Sequence, residues 1–387
     1  MGTFPLDLER LQQVLDYLND GVYLTDCSRR ILLWNRRAEE ITGWKASQVV
    51  GRRCRDGILE HVDGHGHALC RSDLCPLARA IRTRSGSKEP VLVYARGADG
   101  RRIPVSTSVA PLRSGAGRVV GGIEVFRDES VRLADLEFAR RVQQHVLPER
   151  LPASEAISFE VGYYPHDLVG GDFYWVRELR PNVFASLAAD VRGHGVSAAL
   201  YTMVLSSYLA GAGSLAEEPG RLMGALNEHL EELSVAESFA SAVYLVLDGT
   251  DWTLRYANAG HPPPLLLDAR TGEVRELGAH GLILGMLVPQ EYEETRLDLP
   301  ERGALLCYSD GAIEVPDREG EEFGIERLKA YVRKQVGRRG FPERFYRHLT
   351  KMSAAVSLPD DLLLLVARLR WSREQLRPRR GRASGGA

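Results

Sequence analysis

Acidic residues recur where apolar segments of this chain begin or end. Asp190 closes the apolar run "SLAAD" and precedes the turn "VRGHG", and Asp310 follows "LLCYS" and precedes a glycine. Asp172 follows two glycines in "VGGDFYW", whereas Asp360 and Asp361 stand directly before "LLLLV". Taken singly, each acid has an ordinary interpretation, since Asp is common in turns and hydrogen-bonds nearby amides. Their repetition at the ends of predicted buried strands favours a shared role.

That role would be the binding of cations. A buried carboxylate is costly unless something pairs with it, and carboxylates gathered at one sheet edge repel each other unless cations lie between them. A ligand set of oxygen atoms without Cys or His suits Mg²⁺ or Mn²⁺ better than zinc. The neighbouring glycines would let a metal ion, its waters and a phosphate approach the backbone closely.

The segments that must position these acids follow Pro148 and indicate an α+β domain. The absence of regular strand–helix alternation argues against a doubly wound parallel sheet and favours sheet layers with helices outside. Strands are predicted for the segments "ISFEVGYY", "NVFASLAAD", "ESFASAVYLVL", "WTLRYANA", "GALLCYSD" and "DDLLLLVARLRW". Helices are predicted over 196–213, 219–234, 324–336 and 341–355.

The first part of the chain predicts a second α+β domain built from short strands. Short helices fit at 36–50 and 73–84, and the Asp-Gly at 99–100 predicts a hairpin turn. Its strands are "GVYLTD", "RILLWN", "EPVLVYAR", "RRIPVSTSVAPL" and "RVVGGIEVFRD". The opening "DGVYLTDCSRRILLWNRRAEEITGW" and the closing "DGRRIPVSTSVAPL" and "GRVVGGIEVFRD" resemble a PAS sensor domain over about residues 8–128.

A helix without glycine joins the two domains. The segment 128–148 has a stripe of apolar residues at spacings of three and four and stops at Pro148. The stripe comprises Val131, Ala134, Phe138, Val142 and Val146. It fits either a helix packed on its own domain or a short parallel coiled coil between two chains.

The acidic motifs carry a second resemblance. "VGGDFYW", "ADVRGHGVSAAL", "NAGHPP", "YSDGAIE" and the final Asp pair occur in the order found in metal-dependent serine/threonine phosphatases of the PP2C superfamily. They are most similar to the branch of sporulation stage II protein E and the sigma-factor regulatory phosphatases. The segment "ARRVQQHVLP" resembles the linker that leads into the catalytic domain in that branch. The resemblance implies a PP2C-like α-β-β-α sandwich and a substrate such as a phosphorylated anti-anti-sigma factor.

The resemblance also implies roles for single residues. Asp190 would bridge two ions of Mn²⁺ or Mg²⁺, with Asp172 and the carbonyl of Val191 on one ion. Asp310 and Asp360 would hold the other. Two such ions activate a bridging water that attacks phosphorus in line, so no covalent phosphoenzyme is required.

Several positions qualify this assignment. Asp361 is a near alternative to Asp360 as a ligand. Many relatives carry Asp in place of Trp175 and Ser in place of Arg192, which leaves rate and substrate choice open. We expect His261 to order its turn rather than act as a base, and the role of His194 is equally open.

A separate cluster lies in the predicted sensor, within an insertion at 54–75. Cys54, His61, Cys70 and Cys75 fall within this short segment. Three thiols and an imidazole would suit a zinc ion or an iron–sulfur cluster. The spacings match neither a zinc ribbon nor a ferredoxin, so a Cys70–Cys75 redox pair and buried thiols without a role are the alternatives.

Composition bounds the remaining possibilities. The 387-residue chain has a net charge of −2 and 26% charged residues, which gives no indication of nucleic-acid binding as its main activity. We expect a cytoplasmic, dimeric protein without a membrane segment. The predicted parts are a sensor at 1–128, a linker at 129–148, a phosphatase domain at 149–372 and a disordered basic tail at 373–387.

Two other functions compete with a sensor-regulated phosphatase. A non-catalytic signalling scaffold would keep the fold, but the retention of every proposed ligand argues against it. A cyclic-dinucleotide synthase, prompted by "GGD", fails because Phe173, Tyr174 and Trp175 supply no further acid after Asp172.

Overall fold

The computed structural model describes residues 8–370 apart from 71, 194, 234–238, 279–280 and 354–357. His194 and the predicted tail therefore lie outside the described residues. The chain divides into two compact units, Met1–Asp135 and Leu136–Ala387. None of the described helices has the length and apolar character needed to cross a bilayer.

The N-terminal unit is built on one antiparallel sheet with the strand order β2-β1-β5-β4-β3. Alternate residues of its longest strand, Val105, Thr107 and Val109, are buried because side chains point to opposite faces along a strand. The elements are α1 (Leu8–Asp16), β1 (Gly21–Asp26), β2 (Ile31–Trp34), α2 (Arg36–Thr42), α3 (Ala46–Val49), α4 (Pro76–Thr83), β3 (Val91–Arg96), β4 (Arg102–Arg113) and β5 (Val119–Asp128). The five predicted strands and both helical segments are confirmed.

The C-terminal unit contains two antiparallel five-stranded sheets. Their strand orders are β13-β10-β9-β8-β7 and β12-β11-β14-β15-β6. The connecting helix is α5 (Ser130–Val146), and the remaining elements are β6 (Ile157–Tyr164), β7 (Asp172–Arg180), β8 (Val183–Val191), α6 (Val196–Gly211), α7 (Pro219–Glu232), β9 (Ala240–Asp248), β10 (Thr253–Ala259), β11 (Leu265–Asp268), β12 (Val274–Glu276), β13 (Thr295–Asp298), β14 (Arg302–Tyr308), α8 (Gly324–Gln335), α9 (Phe341–Met352) and β15 (Leu362–Arg370).

Strand β15 shows how these layers are held together. Leu363 and Leu365 point into the core between the two sheets, while Leu364 and Val366 pack with the residues of α8 and α9. Both faces of the strand are therefore buried, which explains its continuous apolar run. On the other sheet, α6 and α7 cover the outer face. The predicted α-β-β-α sandwich is confirmed.

The sequence analysis did not assign β7 or the short strands β11, β12 and β13. The first five residues of β7 are all buried, so the strand lacks the alternation that marks a half-exposed strand. Asp172 is consequently the first residue of β7, and it lies next to the end of the neighbouring strand β8.

Candidate active site

Two of the predicted acids face each other on neighbouring strands. Asp172 of β7 pairs in register with Asp190 of β8. Asp172 is only 2% exposed, and neither of its carboxylate oxygens has a hydrogen-bond partner. Burial raises the pKa of the Asp172 carboxyl well above its usual value, and the charge of Asp190 raises it further. A hydrogen bond from the nearby Ser309 hydroxyl to Asp172 would lower that pKa. The Ser309 hydroxyl donates instead to the carbonyl of Asp361, at 3.4 Å.

The second sheet brings two more acids to the same place. Asp310 follows β14 in a single helical turn, and Asp360 directly precedes Asp361 and β15. They share a cavity of about 360 Å³ with Asp190. Burial raises the pKa of Asp190 to about 7, with Asp310 and Asp360 as the next causes. The pKa of Asp310 is also raised by burial and then by Asp360.

Glu314 belongs to this group of acids, although the sequence analysis did not single it out. The pKa of Glu314 is raised by burial and then by the charge of Asp310. The Glu314 amide donates to the carbonyl of Asp310 at 3.0 Å, so the two residues lie one helical turn apart. A spacing of four residues places side chains on one side of a turn, and this spacing in "DGAIE" was the available signal.

The residues present fit divalent cations in their chemistry and charge. Asp172 has two buried oxygens without donors, and carboxylates of both sheets repel each other in one cavity. Both features disappear beside a hard cation that takes oxygen ligands. Among the described residues, no group of three or more His, Cys, Asp or Glu side chains is placed to hold a metal ion as it stands. The fit therefore rests on donor type, burial and charge.

Asp361 has a different environment from Asp360. Its Oδ1 accepts from the His166 amide at 2.7 Å, and its Oδ2 accepts from the Gly171 amide at 2.7 Å. Both oxygens are thus used to hold the loop that leads into Asp172. Asp360 is exposed, and its Oδ1 accepts from the Asp361 amide at 2.7 Å. This arrangement favours Asp360 over Asp361 as a metal ligand.

The two glycines before Asp172 permit the close contacts of this loop. A Cβ at Gly170 would lie 2.4 Å from Oδ2 of Asp361, and one at Gly171 would lie 2.5 Å from the carbonyl oxygen of Val191. Any side chain would push the loop away from β8 and β15. The Val191 carbonyl therefore lies beside the Asp172 loop, where the family resemblance implies a metal ligand.

His261 is buried behind the cavity. Its amide donates to Asn258 Oδ1 at 2.8 Å, and its Nδ1 lies 2.8 Å from the Ser241 hydroxyl. Burial lowers the pKa of His261 to about 3, so the ring is neutral. Ser241 lines the cavity, whereas His261 does not. These contacts agree with the prediction that His261 orders its turn.

The two departures from the family pattern lie in different surroundings. Trp175 is 8% exposed and stacks on Tyr244 in the core, away from the cavity. Arg192 lines the cavity, and its guanidinium carbon lies 4.8 Å from the centre of the Phe239 ring. Arg192 is the one cationic side chain among the described residues that line this cavity.

Gln143 of α5 was not predicted to have a role. Its side chain is 3% exposed, and its Nε2 donates to the Gly170 carbonyl at 2.8 Å and to the Thr202 hydroxyl at 3.2 Å. The helix thus fixes the loop two residues before Asp172. By contrast, Val131 and Phe138 of the apolar stripe are 77% and 62% exposed.

The predicted sensor cluster is only partly brought together. Cys54, Cys70 and Cys75 are all buried. The Nε2 of His61 lies 3.7 Å from a carboxylate oxygen of Glu124. Within the described ranges, no set of three or more metal-ligating side chains could hold an ion. The geometry therefore gives the predicted zinc or iron–sulfur site no support.

Comparison with known families agrees with this architecture. The profile of stage II sporulation protein E (SpoIIE) matches residues 181–370, and the profile of the PAS fold matches residues 9–128. The solved SiaA-PP2C domain of Pseudomonas aeruginosa has a TM-score of 0.55 and 24% identity, covering 63% of this chain and 98% of that domain. This structural likeness shows the fold.

Two relatives come from Bacillus subtilis. The phosphoserine phosphatase RsbP is 30% identical over 184 residues, which are 46% of this chain and 45% of RsbP. The phosphoserine phosphatase RsbU is 25% identical over 239 residues, which are 61% of this chain and 70% of RsbU. The chain thus spans about half the length of RsbP.

The C-terminal domain has the fold of the SiaA-PP2C domain and is similar to the stage II sporulation protein E family over residues 181–370. The N-terminal unit is similar to the PAS fold over residues 9–128.

Proposed function

We propose that this protein is a sensor-regulated, metal-dependent phosphatase that removes phosphate from phosphoserine or phosphothreonine of a partner protein. The observation that carries the proposal is the buried, unpartnered Asp172 facing Asp190, beside Asp310 and Asp360 of the second sheet. The printed names of RsbP and RsbU support phosphoserine as the substrate group.

The carboxylates of Asp172, Asp190, Asp310 and Asp360 and the Val191 carbonyl would hold Mn²⁺ or Mg²⁺. When bound there, the ions would supply an activated water and positive charge against the phosphate oxygens.

The chain's own residues position the reaction. Asp361 holds the loop before Asp172 through the His166 and Gly171 amides. Arg192 would bind the phosphate, since a guanidinium matches two phosphate oxygens at once and Phe239 limits its movement. His261 is neutral and holds Ser241 at the cavity wall.

The proposed partner is a phosphorylated protein of the anti-anti-sigma type, as the resemblance implies. A catalytically weak scaffold that only binds such a partner is the alternative. Hydrolysis separates the two functions, because a scaffold would bind the phosphorylated protein without releasing phosphate.

The test is phosphate release by the full chain from phosphorylated candidate partners, with Mn²⁺ and with EDTA. We expect release only with Mn²⁺, and a loss of several orders of magnitude in Asp190→Asn. Asp251→Asn, at an exposed turn of the same domain, is the matched control and should keep full activity. Undiminished release in EDTA or in Asp190→Asn would contradict the proposal.

Control by the sensor is proposed to pass through α5. The helix follows β5 after one residue and carries Gln143, whose amide binds Gly170. A shift of the helix would move the loop that carries Asp172. A difference of about 1–3 kcal/mol between two helix positions would change activity about 5–150-fold.

The exposed Val131 and Phe138 support a homodimer along this helix. Phe138→Glu combined with Val142→Glu should convert the dimer into a monomer in sedimentation and abolish the effect of the sensor on phosphate release. A wild-type chain that sediments as a monomer would refute this part of the proposal.

A further inference from the structure

Two cysteines of the N-terminal unit lie next to each other below its surface. Cys70 and Cys75 are 5% and 3% exposed, and each thiol is the largest cause of the shift in the other's pKa. The segment 72–74 between them is exposed.

The surroundings distinguish the two thiols. Nη1 of Arg29 lies 3.5 Å from the sulfur of Cys75 and also donates to the Cys70 carbonyl at 3.0 Å. Cys75 is the N-cap residue of α4, where the positive end of the helix and the Ala78 amide favour a thiolate. The hydrogen bond from Cys70 is the largest cause that lowers the pKa of Cys75, to about 6.

Cys70 is the partner that keeps its proton. Its pKa is raised, first by its hydrogen bond to Cys75 and then by burial. The third thiol, Cys54, has its pKa raised to about 12 by burial and by Glu124. One thiolate beside one neighbouring thiol is the arrangement of a nucleophilic and a resolving cysteine.

We propose that Cys75 and Cys70 form a redox-active dithiol that a hydroperoxide converts into a disulfide. The Cys75 thiolate attacks one peroxide oxygen, the O–O bond breaks, and the second oxygen leaves as water or alcohol after taking a proton. The Cys75 sulfenic acid is then attacked by the Cys70 sulfur, and the hydroxyl leaves as water with the Cys70 proton. With hydrogen peroxide, two thiols and one peroxide give one disulfide and two waters.

Oxidation would also change the electrostatics of the sensor core. The disulfide removes the negative charge beside Arg29 and near the buried Glu124 of β5, which accepts from the Tyr23 hydroxyl at 2.6 Å. Strand β5, which carries Glu124, directly precedes the connecting helix α5 along the chain. The proposal stands independently of phosphatase activity.

The test treats the reduced full chain with hydrogen peroxide, alkylates it under denaturing conditions and analyses tryptic peptides. Because Arg71 lies between the two cysteines, trypsin separates them unless a disulfide joins the fragments. We expect loss of two of the five thiols and a linked Cys70–Cys75 peptide pair that reductant separates.

Three variants sharpen the test. Cys70→Ser should leave a sulfenic acid on Cys75 that dimedone traps, and Cys75→Ser should lose both the linkage and the trapped adduct. Cys27→Ser, at an exposed thiol, is the control and should behave as the wild type. The proposal would be overturned by a wild-type chain that keeps all its thiols, by linkage to Cys54 instead, or by purified protein whose thiols are protected by bound zinc or iron.

Discussion

Asp360 and Asp361 are adjacent acids for which the structure predicts different effects of the same substitution on the stability of the domain. Asp361→Asn changes a carboxylate whose two oxygens accept from the His166 amide and the buried Gly171 amide, at 2.7 Å each. One oxygen would be replaced by an NH₂ group that faces an N–H donor. Asp360→Asn changes an exposed side chain whose one hydrogen bond, from the Asp361 amide, an Asn oxygen would keep.

The expected destabilisation by Asp361→Asn follows from these contacts. A hydrogen bond to a charged group contributes about 1.5–3 kcal/mol, and a buried donor left without a partner costs about 1–3 kcal/mol. Removal of one negative charge beside Asp172 and Asp190 offsets part of this loss. A net loss of about 2–4 kcal/mol lowers the melting temperature of a domain of this size by about 4–16 °C. For Asp360→Asn, the change in unfolding free energy should stay within about 0.5 kcal/mol.

Thermal unfolding in EDTA and Mn²⁺ titration measure the two effects separately. Asp361→Asn should melt early in EDTA and bind Mn²⁺ about 10–100-fold more weakly, as expected when a residue that orients a ligand is lost. Asp360→Asn should melt like the wild type in EDTA and lose Mn²⁺ binding. Equal melting temperatures of the two variants in EDTA, or normal Mn²⁺ binding by Asp360→Asn, would refute the assignment of roles.

Three further outcomes are expected. Gly170→Ala should destabilise the C-terminal domain by about 1–3 kcal/mol in thermal melts, because its Cβ would lie 2.4 Å from a carboxylate oxygen. The control Gly211→Ala, at the last residue of α6, has no atom within 4 Å of the new Cβ and should not melt below the wild type. Because the pKa of Asp190 is raised to about 7 in the folded state, the protonated form is favoured there; the melting temperature without Mn²⁺ should fall as pH rises through about 7, and saturating Mn²⁺ should abolish that fall. Arg192→Ala should raise KM for the phosphorylated protein by about 10-fold or more, while Arg192→Lys recovers part of the loss and Mn²⁺ titration is unchanged.

The sequence was sufficient for the strand ends that carry Asp190 and Asp310, because apolar runs followed by Asp-containing turns are local signals. It did not separate the roles of Asp360 and Asp361. That distinction depends on amides about 190 residues earlier in the chain, at His166 and Gly171.

Gln143 illustrates a second limit. The apolar stripe of α5 drew attention to Val131 and Phe138, but these are exposed, and the buried side chain is a polar one on the same helix. Helical periodicity indicates which residues share a face, but not which face meets the rest of the domain. The contact with Gly170 becomes visible only when the sheet is folded.

The most direct test of the central claim is a crystal of the full chain soaked in Mn²⁺ and measured at the manganese absorption edge. Anomalous difference peaks are expected beside Asp190, between Asp172 of one sheet and Asp310 of the other. A fully occupied manganese site elsewhere, with no peak near Asp190, would contradict the proposal that these carboxylates form the metal centre of a phosphatase.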